Sequence, residues 1–200
     1  MHPTLILGSS SPYRKSLLER LQLPFSCHSP DIDETAKTDE LPIDLVKRLP
    51  IQKAHAVHQE RQQQNKPAEA LIIASDQVAV LENDILGKPI TEENAIAQLS
   101  RFSGQRVTFL TGLCVLNEKD QSYEYALNKY HVYFKVLELA DIKRYIAIEQ
   151  PLNCAGSFKC EGLGICLFEK MEGEDPNSLI GLPLISLCRL LTVYGVNPLR

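Results

Sequence analysis

The segment TLILGSSSPYR (residues 4–14) decides how the fold begins. Thr4 to Gly8 is short, apolar and closed by glycine, a pattern typical of a buried strand rather than a helix. Ser11 is a favourable N-cap and Pro12 suits the first helical position, so we expect a helix from Pro12 to about Gln22. The chain is therefore predicted to open as a strand, a tight polar loop and a helix.

The loop between that strand and helix carries three consecutive serines, Ser9 to Ser11, and Arg14 follows one turn into the helix. Free backbone N–H groups, the positive end of the helix dipole and the hydroxyls together favour an anion. The G-x-x-x-x-G-K pattern of a Walker phosphate loop is absent. These residues alone leave two interpretations open: a phosphate site, or a plainly capped helix with a surface arginine.

The rest of the chain alternates strand and helix patterns, which predicts a mixed α/β fold. Pro42 starts a second helix with Lys53 on its apolar stripe, and Pro50 is expected to kink that helix or split it. A strand over 70–75 is expected to stop at Asp76.

The remaining predicted elements are a strand at 78–81, a helix at 91–102, a hairpin at 106–136, a helix at 137–149, a strand at 162–169 and a helix at 182–194. No repeat and no Pro- or Gly-rich stretch divides the chain, so we expect one domain over residues 1–200.

The composition is that of a globular protein, since 44% of the 200 residues are apolar and 23% are charged. Disordered, collagen-like and coiled-coil classes are thereby excluded. The formal net charge of -4 offers no basic field for nucleic acid. The N-terminus lacks a cationic lead and no apolar run is long enough to span a membrane. We therefore expect a cytoplasmic protein without a nucleic-acid or membrane partner.

Four carboxylates and two lysines form a second group of candidates: Asp31, Asp33, Glu34, Asp76, Lys53 and Lys88. Oxygen ligands of this kind suit Mg²⁺ rather than Zn²⁺. Each residue also has a purely structural interpretation. The acidic loop can be a solvated turn, Asp76 an Asx turn, Lys53 a stem along apolar surface and Lys88 part of an exposed turn.

The segment Asp31 to Thr35 also matches the D-x-D-x-T pattern of phosphatases with an aspartate nucleophile. Covalent phosphoryl transfer through Asp31 is therefore an alternative, although the polar residues 27–30 stand where that pattern expects an apolar strand. A further alternative is a non-catalytic regulatory module, which would bind a nucleoside triphosphate and leave it intact.

Short motifs occur in a fixed order along nearly the whole chain. They are Ser9-x-Ser11-Pro12-x-Arg14, Asp33-Glu34, Arg48 to Lys53, Ser75-Asp76-Gln77, Gly87-Lys88-Pro89, Ser103-Gly104, Thr111-Gly112, Ala155-Gly156-Ser157 and Gly181-Leu182-Pro183-Leu184. Each motif is common by itself, but their joint occurrence is specific. The set resembles the Maf-type nucleoside triphosphate pyrophosphatases.

That resemblance implies cleavage between the α and β phosphates of a nucleoside triphosphate, with a divalent metal cation, Mg²⁺ or Mn²⁺. It also implies an elongated, two-lobed α/β fold, with a mixed sheet flanked by helices, related to inosine triphosphatase. Carried over residue by residue, Asp76 is the proton acceptor, and Glu34 and Asp76 hold the metal. The implied substrate-binding residues are Ser9, Ser11, Arg14, Lys53 and Lys88.

The resemblance also bears on the base. The family branch acting on dTTP and UTP has Ala-Asp-Thr in the middle motif, whereas Ser75-Asp76-Gln77 is similar to the branch acting on 7-methyl-GTP. Tyr13 stands where that branch has an aromatic residue, usually tryptophan, and Glu161 stands where it has glutamate.

These changes fit the chemistry of 7-methylguanine, which is cationic. An aromatic ring at Tyr13 can stack on it, and Glu161 can accept hydrogen bonds from its N1–H and amino group. Gln77 either contacts the base or helps to place a loop.

The sequence as a whole predicts an enzyme, a hydrolase acting on acid anhydrides. We expect a pyrophosphatase that removes 7-methyl-GTP, or a similar modified purine triphosphate, before it enters nucleic acid. The sequence does not fix the oligomeric state and leaves a homodimer open.

Overall fold

The structure, a computed structural model that describes residues 3–200, opens with the predicted strand, loop and helix. β1 (Thr4–Leu7) leads into α1 (Pro12–Glu19), and the Ser11 hydroxyl caps the helix by accepting a hydrogen bond from the Arg14 N–H at 3.4 Å. The hydroxyl at the cap satisfies one of the N–H groups that a helix N-terminus leaves without a partner.

The first helix ends at Glu19 rather than near Gln22. Gln22 has a φ of 55°, outside the helical region, and Leu23 precedes Pro24, where helical backbone is disfavoured. The apolar stripe continues beyond Glu19 to Leu21, so the sequence pattern did not mark this boundary.

The other elements follow in chain order. They are β2 (Phe25–Cys27), α2 (Pro42–Gln63), β3 (Ala70–Leu81), β4 (Asp84–Leu86), α3 (Glu92–Phe102), β5 (Arg106–Asn117), β6 (Tyr123–Phe134), α4 (Leu139–Glu149), β7 (Phe168–Gly173), α5 (Pro176–Ile180) and α6 (Leu184–Val193). Short 3₁₀ helices lie at Ala155–Ser157 and Leu163–Leu167. The strand predicted at 162–169 is therefore a 3₁₀ helix followed by a later strand.

The strands form one mixed sheet in the order β2-β1-β3-β5-β6-β7, with β4 paired to β3. β1 is parallel to both β2 and β3, and the pairings from β3 through β5 and β6 to β7 are antiparallel. A mixed sheet flanked by helices confirms the predicted α/β class.

Apolar packing is divided between the two ends of the long strands. One cluster surrounds the end of the sheet covered by α3 and α4, and includes Phe102, Phe109 and Phe158. The other end is packed by α1, α2 and α6, with Leu18 and Leu187 among its buried residues. These two packing regions are the two lobes of the predicted fold.

Pro50 does not split α2, which continues as one helix from Pro42 to Gln63. Proline lacks the N–H that would bond the carbonyl of Val46 four residues earlier. The Tyr125 hydroxyl donates to that carbonyl at 3.3 Å, and a Cβ built on Gly112 would lie 1.7 Å from it. Only glycine allows this approach, so α2 packs closely on the sheet and carries Lys53 over β3.

The edge of β3 that faces β1 is paired only at its two ends. β1 pairs with residues 70–73 and β4 with residues 79–81, whereas β5 pairs continuously along the opposite edge. Asp76 therefore lies inside an unbroken strand, and the prediction that the strand stops there is wrong. Residues 74–78 border an opening between the lobes, and Asp76 lies at its centre.

Within residues 3–200, no helix is both long enough and apolar enough to cross a membrane.

Candidate active site

The opening beside β3 is a cleft with a volume of 790 Å³, lined from both lobes. It brings together the ten residues to which the resemblance assigns a role: Ser9, Ser11, Tyr13, Arg14, Glu34, Lys53, Asp76, Gln77, Lys88 and Glu161. The candidate carboxylate Asp33 does not line the cleft. The ten residues come from α1, α2, β3 and four loops. Some of these residues are separated by most of the length of the chain, and the fold brings them together around one space.

Lys53 lies between two carboxylates at the floor of the cleft. Its ammonium nitrogen is 2.6 Å from Asp76 Oδ1 and 2.8 Å from Glu34 Oε1. The Lys53 and Asp76 side chains are only 7% and 11% exposed, whereas Glu34 is 54% exposed. Burial strengthens the electrostatic interaction, so the buried lysine holds both carboxylates at one point.

Glu34 is kept ionised by its neighbours. Partial burial raises its pKa, but the hydrogen bond and charge of Lys53, with the charges of Lys88 and Arg14, lower it further than burial raises it. The resulting pKa lies below the ordinary value of a glutamate. Glu34 therefore remains a carboxylate at neutral pH.

The donor set at this point fits a magnesium-like ion bound together with a phosphate ligand. Among residues 3–200, no group of three or more His, Cys, Asp or Glu side chains could hold a metal. Mg²⁺ is usually bound through one or two carboxylates plus substrate phosphate oxygens, rather than in a full protein cage. Glu34 and Asp76 supply such a pair of carboxylates.

Hydrogen bonds fix the Arg14 side chain between the β1–α1 loop and the turn that follows α5. Its Nε donates to the Gly181 carbonyl at 3.0 Å, and its Nη1 donates to Ser9 Oγ at 3.4 Å. The Ser75 hydroxyl also reaches the Gly181 carbonyl at 2.9 Å. Gly181 has a φ of 117°, which favours glycine, so this turn can present its carbonyl to Arg14.

The environment of Arg14 combines burial with nearby carboxylates. Burial lowers its pKa from the usual value, and the charges of Asp76 and Glu34 oppose that shift. Arginine stays charged in proteins despite such shifts. Arg14 therefore lines the cleft as a positive charge near Asp76 and Glu34, where it can attract an anion.

Gln77 follows Asp76 in β3, and its side-chain amide nitrogen is hydrogen-bonded to other parts of the protein. Nε2 lies 2.9 Å from Thr111 Oγ1, 2.6 Å from the Ser178 carbonyl and 3.3 Å from the Leu179 carbonyl. Thr111 Oγ1 donates to the same Ser178 carbonyl at 3.0 Å. Gln77 and Thr111 together hold the end of α5, which leads to Gly181.

Tyr13 and Glu161 lie at the other end of the cleft, with Cys154 and Phe158. The Tyr13 pKa is raised to about 12 by burial and by the neighbouring Cys154 thiol, with smaller contributions from Glu161 and Glu149. The Tyr13 hydroxyl is therefore neutral at physiological pH. The Tyr13 ring and the exposed Glu161 carboxylate therefore both line this part of the cleft.

A comparison with protein families matches residues 4–194 to the Maf-like proteins. This chain belongs to that family. Curated relatives of this Maf-like protein include three that are named 7-methyl-GTP pyrophosphatase. The one from Colwellia psychrerythraea is 55% identical over 197 residues, which cover 98% of this chain and 95% of the relative.

The other two relatives are of similar identity. The Alcanivorax borkumensis protein is 53% identical, covering 98% of this chain and 96% of its own. The Pseudoalteromonas translucida protein is 52% identical, covering 98% and 94%. Among solved structures, the Staphylococcus aureus Ham1 protein is 12% identical with a TM-score of 0.43, covering 66% of this chain and 71% of that chain.

Asp31, the nucleophile of the alternative phosphatase interpretation, is not among the residues that line the cleft. It is exposed, and residues 28–41 around it form neither helix nor strand. An aspartate nucleophile needs a fixed position beside its phosphate, which this segment does not give Asp31.

Four residues of this Maf-like protein take part in the site without having been assigned a role from the sequence: Ser75, Thr111, Cys154 and Gly181. Ser75, Thr111 and Gly181 stand in motifs quoted above, so their positions carried a signal. Cys154 carried none, because an isolated cysteine has no pattern that points to a neighbouring tyrosine.

Proposed function

We propose that this chain is a nucleoside triphosphate pyrophosphatase that hydrolyses 7-methyl-GTP to the monophosphate and pyrophosphate. The observation that carries the proposal is the cleft itself, in which Lys53 joins Asp76 and Glu34 within 2.8 Å and Arg14 lines the same space. The printed names of three relatives above 50% identity agree with this activity.

In the proposed reaction, Asp76 takes a proton from a water molecule. The water oxygen bonds to the α-phosphorus, the bond from that phosphorus to the α–β bridging oxygen breaks, and pyrophosphate leaves. Lys53 holds the Asp76 carboxylate in place at 2.6 Å. Phosphoryl chemistry of this kind depends mainly on positioning and on neutralising charge.

Glu34 and Asp76 would hold a divalent cation, Mg²⁺ or Mn²⁺, together with the triphosphate. Such an ion neutralises phosphate charge and polarises the phosphoryl oxygens. Ser9, Ser11, Arg14 and Lys88 are the proposed phosphate contacts, with Lys53 between the carboxylates. Lys88 is exposed and lines the cleft from the loop between β4 and α3.

Tyr13 and Glu161 are the proposed base contacts. A methylated, cationic guanine stacks favourably on an aromatic ring and pairs favourably with a carboxylate. We assign Gln77 a positioning role, because Thr111 and the Ser178 and Leu179 carbonyls already occupy its amide nitrogen. Of the two roles that the sequence left open for Gln77, the second is therefore the one we propose.

In the cell, this activity would remove modified purine triphosphates from the cytoplasm before they enter nucleic acid. Residues 1–200 would act as one domain, because β3, β5 and β6 extend through both lobes. All the residues assigned to the reaction belong to one chain. The proposal therefore does not require a homodimer and is compatible with one.

The proposal is tested with a panel of ordinary and modified nucleoside triphosphates, assayed with Mg²⁺ for pyrophosphate and orthophosphate separately. The expected result is pyrophosphate release, fastest with 7-methyl-GTP. Orthophosphate with a covalent phosphoenzyme would favour the aspartyl-phosphate mechanism instead. Tight triphosphate binding without any product would favour the regulatory module.

A further inference from the structure

Glu34 is carried by a segment that has no regular structure to fix it. Residues 28–41, between β2 and α2, form neither helix nor strand. The Glu34 side chain is 54% exposed, yet its carboxylate is held 2.8 Å from the Lys53 nitrogen. A functional group on an irregular segment is placed accurately only when other contacts fix that segment.

The contacts that fix it come mainly from Arg48 of α2. Arg48 Nε and Nη2 lie 2.6 and 2.7 Å from the two carboxylate oxygens of Glu40, and Nη2 also donates to the Thr35 carbonyl at 3.1 Å. Nη1 lies 2.8 Å from Gln52 Oε1 on the same helix. The guanidinium therefore binds both ends of the segment 35–40 and a fixed point on α2.

The Arg48–Glu40 ion pair is largely covered from solvent and is supported by further hydrogen bonds. The Arg48 and Glu40 side chains are 16% and 8% exposed. Glu40 also accepts the Lys37 N–H at 2.9 Å, and the Thr35 N–H donates to Asp33 at 2.9 Å. The hydrogen bond from Arg48 and that from the Lys37 N–H hold the Glu40 pKa down to about 2, so the pair stays charged near neutral pH.

The bonded carbonyl belongs to Thr35, the residue directly after Glu34. Fixing that peptide restricts the backbone from which the Glu34 side chain extends to Lys53. Arg48 itself does not line the cleft, so it touches no substrate. Lysine could not replace it, because an ammonium lacks the planar fork that reaches two carboxylate oxygens and a carbonyl together.

We propose that Arg48 is a positioning residue for Glu34, holding the segment 33–40 against α2 so that the Glu34 carboxylate stays beside Lys53 and Asp76. The inference rests on the proposed function, in which Glu34 serves the metal and the triphosphate. Arg48 should therefore influence the reaction only through the position of the Glu34 carboxylate.

A double-mutant cycle on the full chain tests whether the effect of Arg48 depends on Glu34. Arg48→Ala and Arg48→Lys are each measured for pyrophosphate release at limiting Mg²⁺, in the native background and with Glu34→Gln. In the native background, we expect kcat/KM to fall by up to about 100-fold, as for a small misplacement of a reacting group. In the Glu34→Gln background, the same changes should cost no more than about twofold. Equal losses in both backgrounds would overturn the proposal.

The matched control is Lys47→Ala, which removes one positive charge from the neighbouring, exposed position of α2. It should leave kcat/KM and the Mg²⁺ requirement unchanged. If Lys47→Ala reproduced the Arg48→Ala loss, the effect would be one of general charge and Arg48 would have no positioning role.

Hydrogen exchange separates this inference from the proposed function, because it needs no turnover. Arg48→Ala should accelerate amide exchange over residues 33–40 while exchange in β3 and β5 stays as in the native chain. Unchanged exchange over 33–40 would overturn the positioning role, whatever the activity. A native chain that released no pyrophosphate would overturn the proposed function, and exchange alone would then decide whether Arg48 holds the segment.

Discussion

The two ends of the cleft are built in different ways. At the end assigned to the triphosphate, Lys53 and Asp76 are buried side chains on α2 and β3, and Arg14 lies in the first turn of α1. Glu34 joins them from a loop, where Lys53 holds its carboxylate. At the end assigned to the base, Tyr13 is also on α1, but its proposed partner Glu161 is exposed in the segment between α4 and β7.

This difference indicates a division of labour. Buried, paired groups on regular elements give the accurate positions that phosphoryl transfer needs. Residues on loops tolerate substitution more easily, so the base preference can change while the reacting groups stay in place. Substitutions at the first end should therefore affect every triphosphate, and those at the second end should affect one base.

The largest effect is expected at the first end, from Asp76→Asn. The amide keeps the shape of the carboxylate and loses the basic oxygen, so turnover should fall by about 10²- to 10⁴-fold for all triphosphates alike. Pyrophosphate release measures the loss, and the thermal unfolding midpoint and triphosphate binding serve as controls for folding. Retention of more than half of the native rate would remove Asp76 from the role of proton acceptor.

The second prediction concerns Glu34→Gln, at the same end. Loss of one of two carboxylates should raise the Mg²⁺ concentration required for half activity by about 10- to 100-fold, as is typical for groups that support a metal site. Glu93→Gln, at an exposed position of α3, is the matched control. An Mg²⁺ titration that coincides with that of the native chain would show that Glu34 does not serve the metal.

The third prediction moves to the base end with Glu161→Gln. The change removes a charge-assisted hydrogen bond and sets an NH₂ donor against base donors, so kcat/KM for 7-methyl-GTP should fall by about 10- to 150-fold. Hydrolysis of UTP should barely change.

Arg14→Ala is the comparison for that result. It should slow 7-methyl-GTP and UTP by a similar factor, because a phosphate contact carries no information about the base. If Glu161→Gln also slowed both substrates equally, the two ends would not differ in function, and Glu161 would have a structural role.

The smallest effect is expected from Tyr13→Ala. Loss of the stacked ring should weaken 7-methyl-GTP selectively by roughly 2- to 30-fold in kcat/KM, the range of a cation–π contact. Tyr13→Phe keeps the ring and loses only the hydroxyl beside Cys154, so it should stay near the native value. A Tyr13→Phe variant as impaired as Tyr13→Ala would assign the effect to the hydroxyl rather than to stacking.

Local patterns predicted those parts of the site that depend on neighbours in the sequence. Ser11 caps α1 because an N-cap needs only the next few residues, and Lys53 lies on the inner face of α2 because helical spacing aligns it with apolar residues. The same local reasoning was wrong at Asp76. A polar residue after an apolar run signals a strand end, but here β5 pairs without a break with residues 71–80 of β3 and keeps it extended.

Pro50 shows the same limit. The sequence correctly predicts that a proline removes a helical hydrogen bond, and it cannot show that the freed Val46 carbonyl finds the Tyr125 hydroxyl and the bare Cα of Gly112. Those partners lie on β5 and β6, so the cost of the proline is decided by packing between elements.

By itself, the sequence determined the α/β opening, the order of the reactive groups and the chemistry that those groups can perform. Only the tertiary structure decided that Lys53 joins Glu34 to Asp76, that Gln77 bonds the end of α5, and that the Gly181 carbonyl fixes Arg14 from 167 positions further along the chain. The physical reason is that capping and periodicity act over a few residues. Contacts between distant segments depend on strand register and helix packing, which no short stretch of sequence specifies.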